Sequence, residues 1–382
     1  MAAQSKLVGQ HGRLTAVHAA SHPSKASLDF GPWLFSPTVD LWAFAGSATA
    51  ALLLVAVGRV LGWTTQPTPG WTWLTTILLI DVAHVYATGF RVFQSRREFR
   101  RRRWLYTLTP LFSFLLAAAV YSESVAWFWT VLAYLAVFHF VRQQYGWVAL
   151  YRARQSDADA GRWLDVAAIY LATVYPLVVW HTLPQRDFVW FVEGDFGQLP
   201  TVLAQVLCPL YWVVMLAYAI RSARDIWLKR VWYLGKDMVV ATTAVCWYVG
   251  IVAMNSEFAF TVTNVIIHGV PYMVLVYWLK PRRESPSSDR ATEASPTSGI
   301  KTIQRIGWFV ATLWLLAYVE ELLWDCGVWR QHGWLFGCVG GSENAWFTPS
   351  GQSFWVPLLA TPQITHYVLD GFIWRRSHLG AI

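Results

Sequence analysis

The sequence predicts an all-α integral membrane protein, a polytopic bundle of about ten transmembrane helices, and three observations lead there. The chain is 55% hydrophobic and only 14% charged, whereas soluble domains are about a quarter charged. Apolar runs recur along it, each near the ~20 residues that cross a hydrocarbon core. Every second run is closed by a cluster of Arg and Lys, an alternation that orients multi-span chains.

The elements follow in order. Residues 1–37 are polar and mixed, without the basic, apolar and small-residue order of a cleaved signal peptide, and read as a cytoplasmic tail. Eight spans occupy 38–279, at 38–62, 71–94, 104–122, 125–151, 163–183, 199–220, 237–255 and 258–279. Residues 280–304 are rich in Ser, Pro, Thr and Glu and read as a disordered cytoplasmic linker. The last part, 305–382, holds spans at 305–325 and 353–375, an outer loop at 326–352 and a short tail. Each span must be helical, because an open strand would leave backbone groups unsatisfied in lipid.

Orientation comes from the basic clusters. They stand at 95–103; at Arg152, Arg154 and Arg162; at Arg221, Arg224, Lys229, Arg230 and Lys236; at Lys280, Arg282 and Arg283; and at Arg375 and Arg376. All follow even-numbered spans, so that side is cytoplasmic. Both termini are then cytoplasmic, in a bacterial-type inner (plasma) membrane. The net charge of +8 is accounted for by these loops and does not indicate nucleic-acid binding. Twenty-five Trp residues point to aromatic belts at the two interfaces. In the outer loop, Cys326 and Cys338 are either a disulfide or two free thiols; Cys208 and Cys246, inside spans, read as small apolar fillers.

Ionisable groups at bilayer depth are costly, so each is a functional candidate. His84, His139, His268 and His366 lie on the second, fourth, eighth and tenth spans, which all run the same way. Each is roughly 15–20 Å from the outer end of its span at 1.5 Å per residue. Four imidazoles at one depth are expected to converge on one metal centre. Each has a polar neighbour one turn away: Asp81 for His84, Arg142 and Gln143 for His139, Asn264 for His268, Gln363 and Asp370 for His366. Asp81 and Asp370 are candidate ligands or acceptors for the imidazole N–H groups. Arg142, Asn264, Glu320 and Glu321 are candidate catalytic residues. The bland reading of each His is a hydrogen bond between helices, and Asp81, Asp370 and Arg142 read equally as a buried ion-pair network.

Imidazoles with carboxylates suit iron, zinc, copper or manganese. The pattern resembles the polytopic non-haem iron oxygenases with a polyhistidine site in the bilayer, including the Brp/Blh carotene dioxygenases; His366 and Asp370 are similar in spacing to motifs there. The resemblance implies oxidation of a lipophilic substrate. The expectation for this chain is one or two iron ions held by the four His residues, with an electron-transfer partner where the reaction needs one. The multiple His-x-x-x-His boxes of membrane desaturases are absent. Three other readings stay open: a haem b redox protein, an acyltransferase with His268 as base placed by Asn264, and a proton-coupled transporter.

Overall fold

The computed structural model describes residues 28–93, 96–155, 161–183, 190–278, 296–338, 340 and 346–373. Of the expected tail at 1–37, residues 1–27 lie outside the described residues, as do residues 280–295 of the expected linker and the C-terminal basic pair. The chain folds as an all-α bundle. Its long helices are α1 (Pro37–Val60), α2 (Gly70–Val92), α3 (Arg103–Glu123), α4 (Val125–Ala153), α5 (Arg162–Thr182), α6 (Thr201–Lys229), α7 (Leu234–Ala253), α8 (Glu257–Trp278), α9 (Lys301–Trp329) and α10 (Pro349–Ile373). Among the described residues, the first nine are long and apolar enough to cross a membrane. The tenth has 25 residues, but Pro357, Pro362, Gln363, His366 and Asp370 dilute its hydropathy.

Helix starts are set by local chemistry. Ser36 accepts from the Val39 N–H ahead of α1, with Pro37 in the first helical position. Ser124 does the same for Trp127 at the start of α4. Before α10, Thr348 Oγ1 accepts from Gly351 N–H, and Pro349 again comes first. Two sequence expectations are corrected. α6 continues to Lys229, nine residues past the apolar run, because its polar extension finds partners: Arg221 pairs with buried Asp165, and Lys229 pairs with Asp225 one turn back. The helical backbone leading into α9 starts at Pro296, so residues 296–304 are helix and not linker.

Successive helices run in opposite directions. At the end carrying the basic clusters, the chain before α1 is tied to the end of α4, where Arg154 donates to the carbonyls of Trp33 and Leu34. Asp29 pairs with Val231 just past α6, with Trp232 N donating to Asp29 O at 2.8 Å. Phe90, Tyr277 and Phe309 join the ends of α2 and α8 to the start of α9. At the opposite end Trp63, Trp71 and Phe258 pack together, as do Trp129, Trp324 and Trp329. Exposed Trp104, Trp163, Trp227, Trp308, Trp127, Trp334 and Trp346 sit near helix ends, as belts require. Trp147, Trp180 and Trp247 depart from that expectation and fill the core.

The basic end is locked by charge. Asp165 of α5 is fully buried and takes Arg152 of α4, Arg221 of α6 and Lys236 of α7, the last at 3.0 Å. Asp237 alongside accepts from Tyr218 OH at 2.6 Å and from Ser222. Cations drawn from three helices around one carboxylate hold α4 to α7 in register. α8 threads the centre as the most buried span, against α1, α2 and α7. At the far end Cys326 and Cys338 form a disulfide, with Cα atoms 5.4 Å apart.

Removing the carboxylate leaves three cations facing one another. Asp165→Asn is expected to cost about 3 kcal/mol or more, read as a lower melting temperature in detergent. Arg224→Gln, at an exposed guanidinium 3.7 Å from Asp225, is expected to change stability by under about 1 kcal/mol.

Candidate metal centre

Four helices each bring one imidazole to a common point. His84 (α2), His139 (α4), His268 (α8) and His366 (α10) are all buried, none more than 4% exposed. His268 Nε2 lies 3.1 Å from His84 Nε2, and His366 Nε2 lies 3.1 Å from His139 Nε2. Ring centroids are 4.6 to 6.3 Å apart across the cluster. Ligand atoms of His84, His139 and His366 all lie within 4.8 Å of one another, and so do those of Asp81, His84 and His268. An ion bound tetrahedrally at 2.0–2.1 Å sets its nitrogen ligands about 3.3 Å apart. The observed pairs need to part by only a few tenths of an ångström.

Backbone geometry permits the approach. α8 comes against α2 at Gly269, next to His268, where a Cβ would meet Ile80 Cγ2 at 2.6 Å. Residues Trp73–Val82 of α2 wind as a π-helix that ends just before His84, a widening often found at functional sites. Aromatic faces then fix two rings: Phe140 stacks on His268 at 3.6 Å, and Tyr367 on His139 at 4.7 Å.

A hydrogen-bonded chain decides the tautomer of His366. Tyr272 OH donates to Asp370 Oδ1 at 2.6 Å. Its oxygen is 2.7 Å from Thr88 Oγ1, and Thr88 Oγ1 is 2.6 Å from His366 Nδ1. With the Tyr272 proton committed to the carboxylate, Thr88 must donate to Tyr272 and accept from His366 Nδ1–H. The lone pair of His366 is therefore on Nε2, which faces His139. This is the arrangement that prepares an imidazole as a ligand.

The carboxylates stand one step back. Asp370 Oδ1 is 3.7 Å from His366 Nδ1, and its Oδ2 is 3.9 Å from His139 Nε2. Asp81 Oδ1 is 3.6 Å from His84 Nδ1, too far for a hydrogen bond. Asp81 Oδ1, His84 Nδ1 and His268 Nδ1 are buried without a hydrogen-bond partner among the described residues. A buried carboxylate oxygen without a hydrogen-bond partner, beside two imidazoles, fits a site that takes a cation.

The other candidate residues are not drawn to the imidazoles. Asn264 does not orient His268: its amide donates to Phe260 O at 3.0 Å and Thr263 Oγ1 at 3.1 Å, on the face that closes against Gly250 of α7. Gln143 Nε2 donates to the backbone carbonyl of His268 at 2.7 Å, joining α4 to α8 without touching His139's ring. Arg142 is exposed; it donates to Tyr170 OH and lies 4.9 Å over the Tyr145 ring, so the ion-pair network with Asp81 and Asp370 does not form. Glu320 accepts from Tyr86 OH at 2.5 Å and from Trp324 Nε1 at 3.3 Å.

Two cavities flank the centre. From the disulfide end, one of about 440 Å³ carries Glu257, Glu320, Glu321 and Asp325 on its wall and reaches Asp81 and Phe140. There His332 stacks on Trp73 at 3.6 Å and contacts Asp325; burial holds the His332 imidazole below its ordinary pKa, against the pull of Asp325. On the other side, an apolar pocket of about 280 Å³ reaches His139, Tyr367 and Asp370. Compared with models of known families, with curated proteins and with solved structures, the chain matches none.

Sequence reasoning overlooked Thr88, although its place four residues after His84 on one helix face was available. Thr88→Val and Tyr272→Phe each break the chain behind His366. Either is expected to lower metal affinity 10- to 100-fold in chelator competition, while Asn264→Ala leaves it within about threefold.

Proposed function

We propose that the protein is a multi-pass membrane metalloenzyme, an iron-dependent oxygenase, hydroxylase or desaturase acting on a lipid or isoprenoid within the bilayer. The observation that carries this reading is the meeting of four buried imidazoles from four helices, their Nε2 atoms facing in pairs at 3.1 Å. His84, His139, His268 and His366 would hold the ion, with Asp81 and Asp370 as supporting acceptors or further ligands. A bound iron ion supplies redox change and open positions for oxygen chemistry. The chain's own residues hold His366 in one tautomer, bury the four imidazoles and place an apolar pocket beside them. That pocket favours a hydrocarbon substrate over a polar one.

A haem b fits less well, because the imidazoles pack edge to face with their Nε2 atoms 3.1 Å apart in pairs, which leaves no flat slot for a macrocycle between them. An acyltransferase with His268 as base loses its orienting residue, since Asn264 is engaged elsewhere. The disulfide supports an oxidising compartment at its end of the bundle, and the basic clusters support cytoplasm at the other. Both suit a bacterial-type inner membrane with cytoplasmic termini.

Elemental analysis of the full chain purified in detergent is expected to give one or two iron atoms per chain, and His→Ala at any of the four positions to remove them. A wild-type protein without stoichiometric transition metal would sink the reading. For topology, a fluorescent protein fused after Ile382 is expected to glow, and alkaline phosphatase fused there to stay inactive. The opposite pattern would reverse the orientation.

A further inference from the structure

The apolar pocket beside the imidazoles has a charged mouth that the metal centre does not explain. Arg142 lies one turn beyond His139 on α4, about 4.5 Å along the axis toward the basic end. Arg142 lines the pocket together with His139, Tyr367 and Asp370, its guanidinium donating to Tyr170 OH. It also lines a surface groove with Tyr145, Tyr170, Arg162 and Trp163, so Arg142 and Tyr145 join the two spaces. Arg142 and Arg162 are both exposed, and among the described residues neither makes an ion pair. An arginine exposed on a spanning helix is costly unless an anion meets it or it reaches the interface.

A second observation concerns the pocket wall. Gly146 and Gly371 both line it, and a Cβ at either would have nothing within 4 Å. Neither glycine is needed for close helix packing, in contrast to Gly269. Their missing side chains leave the pocket open. Its volume of about 280 Å³ takes roughly nine groups of water size at ~30 Å³ each. That accommodates much of one acyl or prenyl chain and not two.

We infer that this pocket and groove bind a single-chain amphiphile with an anionic head, the head between Arg142 and Arg162 and the chain running past Gly146 toward His139. The guanidiniums supply paired donors matched to a carboxylate or phosphate. Tyr145 and Tyr170 flank the head, and the apolar walls take the chain. A substrate held this way presents carbons along its length to the centre, not its head. The inference names the substrate class for the oxidation proposed above and rests on that reading only in taking the bound molecule as substrate; the binding itself needs no metal.

The test is displacement of the fluorescent fatty acid cis-parinarate from the detergent-purified full chain, with metal content measured on the same samples. Oleate and lysophosphatidate are expected to displace it at least tenfold more effectively than oleyl alcohol or two-chain dioleoylphosphatidate. Arg142→Gln and Arg162→Gln are each expected to weaken parinarate about tenfold. Gly146→Leu, whose side chain enters open space on a helix that favours Leu over Gly, is expected to abolish binding while metal content and melting temperature stay unchanged. Equal competition by oleyl alcohol, stronger competition by phosphatidate, or undiminished binding in Gly146→Leu would overturn the inference. No parinarate binding by the wild type would overturn it whatever the metal content, whereas binding retained without metal would overturn only the oxidation reading.

Discussion

A polar group at hydrocarbon depth has no water to turn to, and this constraint organises the whole bundle. Imidazoles, carboxylates and hydroxyls inside the spans must find partners on other helices or hold a ligand. The chain places four imidazoles where only each other, an aromatic face or a short hydroxyl relay is available. Helix contacts around the centre serve that meeting. Gly269 lets α8 come against α2, Gln143 joins α4 to the carbonyl of His268, and Thr88 with Tyr272 joins α2, α8 and α10 behind His366.

Charge is divided by depth for the same reason. Arg152, Arg221 and Lys236 gather on Asp165 at the basic end, so four helices are fixed without bringing a cation near the imidazoles. Acids line the opposite approach, in the cavity of Glu257, Glu320, Glu321 and Asp325. The pocket on the other side carries a single acid, Asp370, among apolar and aromatic walls and Arg142. The apolar pocket lies beside His139, on the side away from these acids. Polar and apolar approaches thus reach one buried centre from different sides.

Much of the architecture was legible before any coordinates. Hydropathy located all ten helices, most boundaries falling within about four residues, since the cost of exposing backbone in lipid makes span length nearly obligatory. Alternating basic clusters ordered the ends, and matched depth picked out His84, His139, His268 and His366 together. Reading failed where a partner lay on another helix. Asn264 sits one turn from His268 in sequence, yet its amide turns toward Phe260 and Thr263 because Gly250 brings α7 close on that side. Arg142, one turn from His139, turns outward to Tyr145 and Tyr170. Spacing along a helix gives proximity, but rotation about its axis decides which neighbour is met.

The sequence by itself therefore determined the class of protein, the places of its long apolar helices and the positions of its ionisable residues along them. These follow from solvation, which acts on each segment independently of the others. Tertiary structure alone decided that the four imidazoles touch, that a Thr–Tyr–Asp chain sets the His366 tautomer, that Cys326 joins Cys338, and that Gly146 faces a pocket while Gly269 faces Ile80. Those outcomes depend on how helices rotate and pack against one another, and a single helix carries no record of the face its neighbours will present.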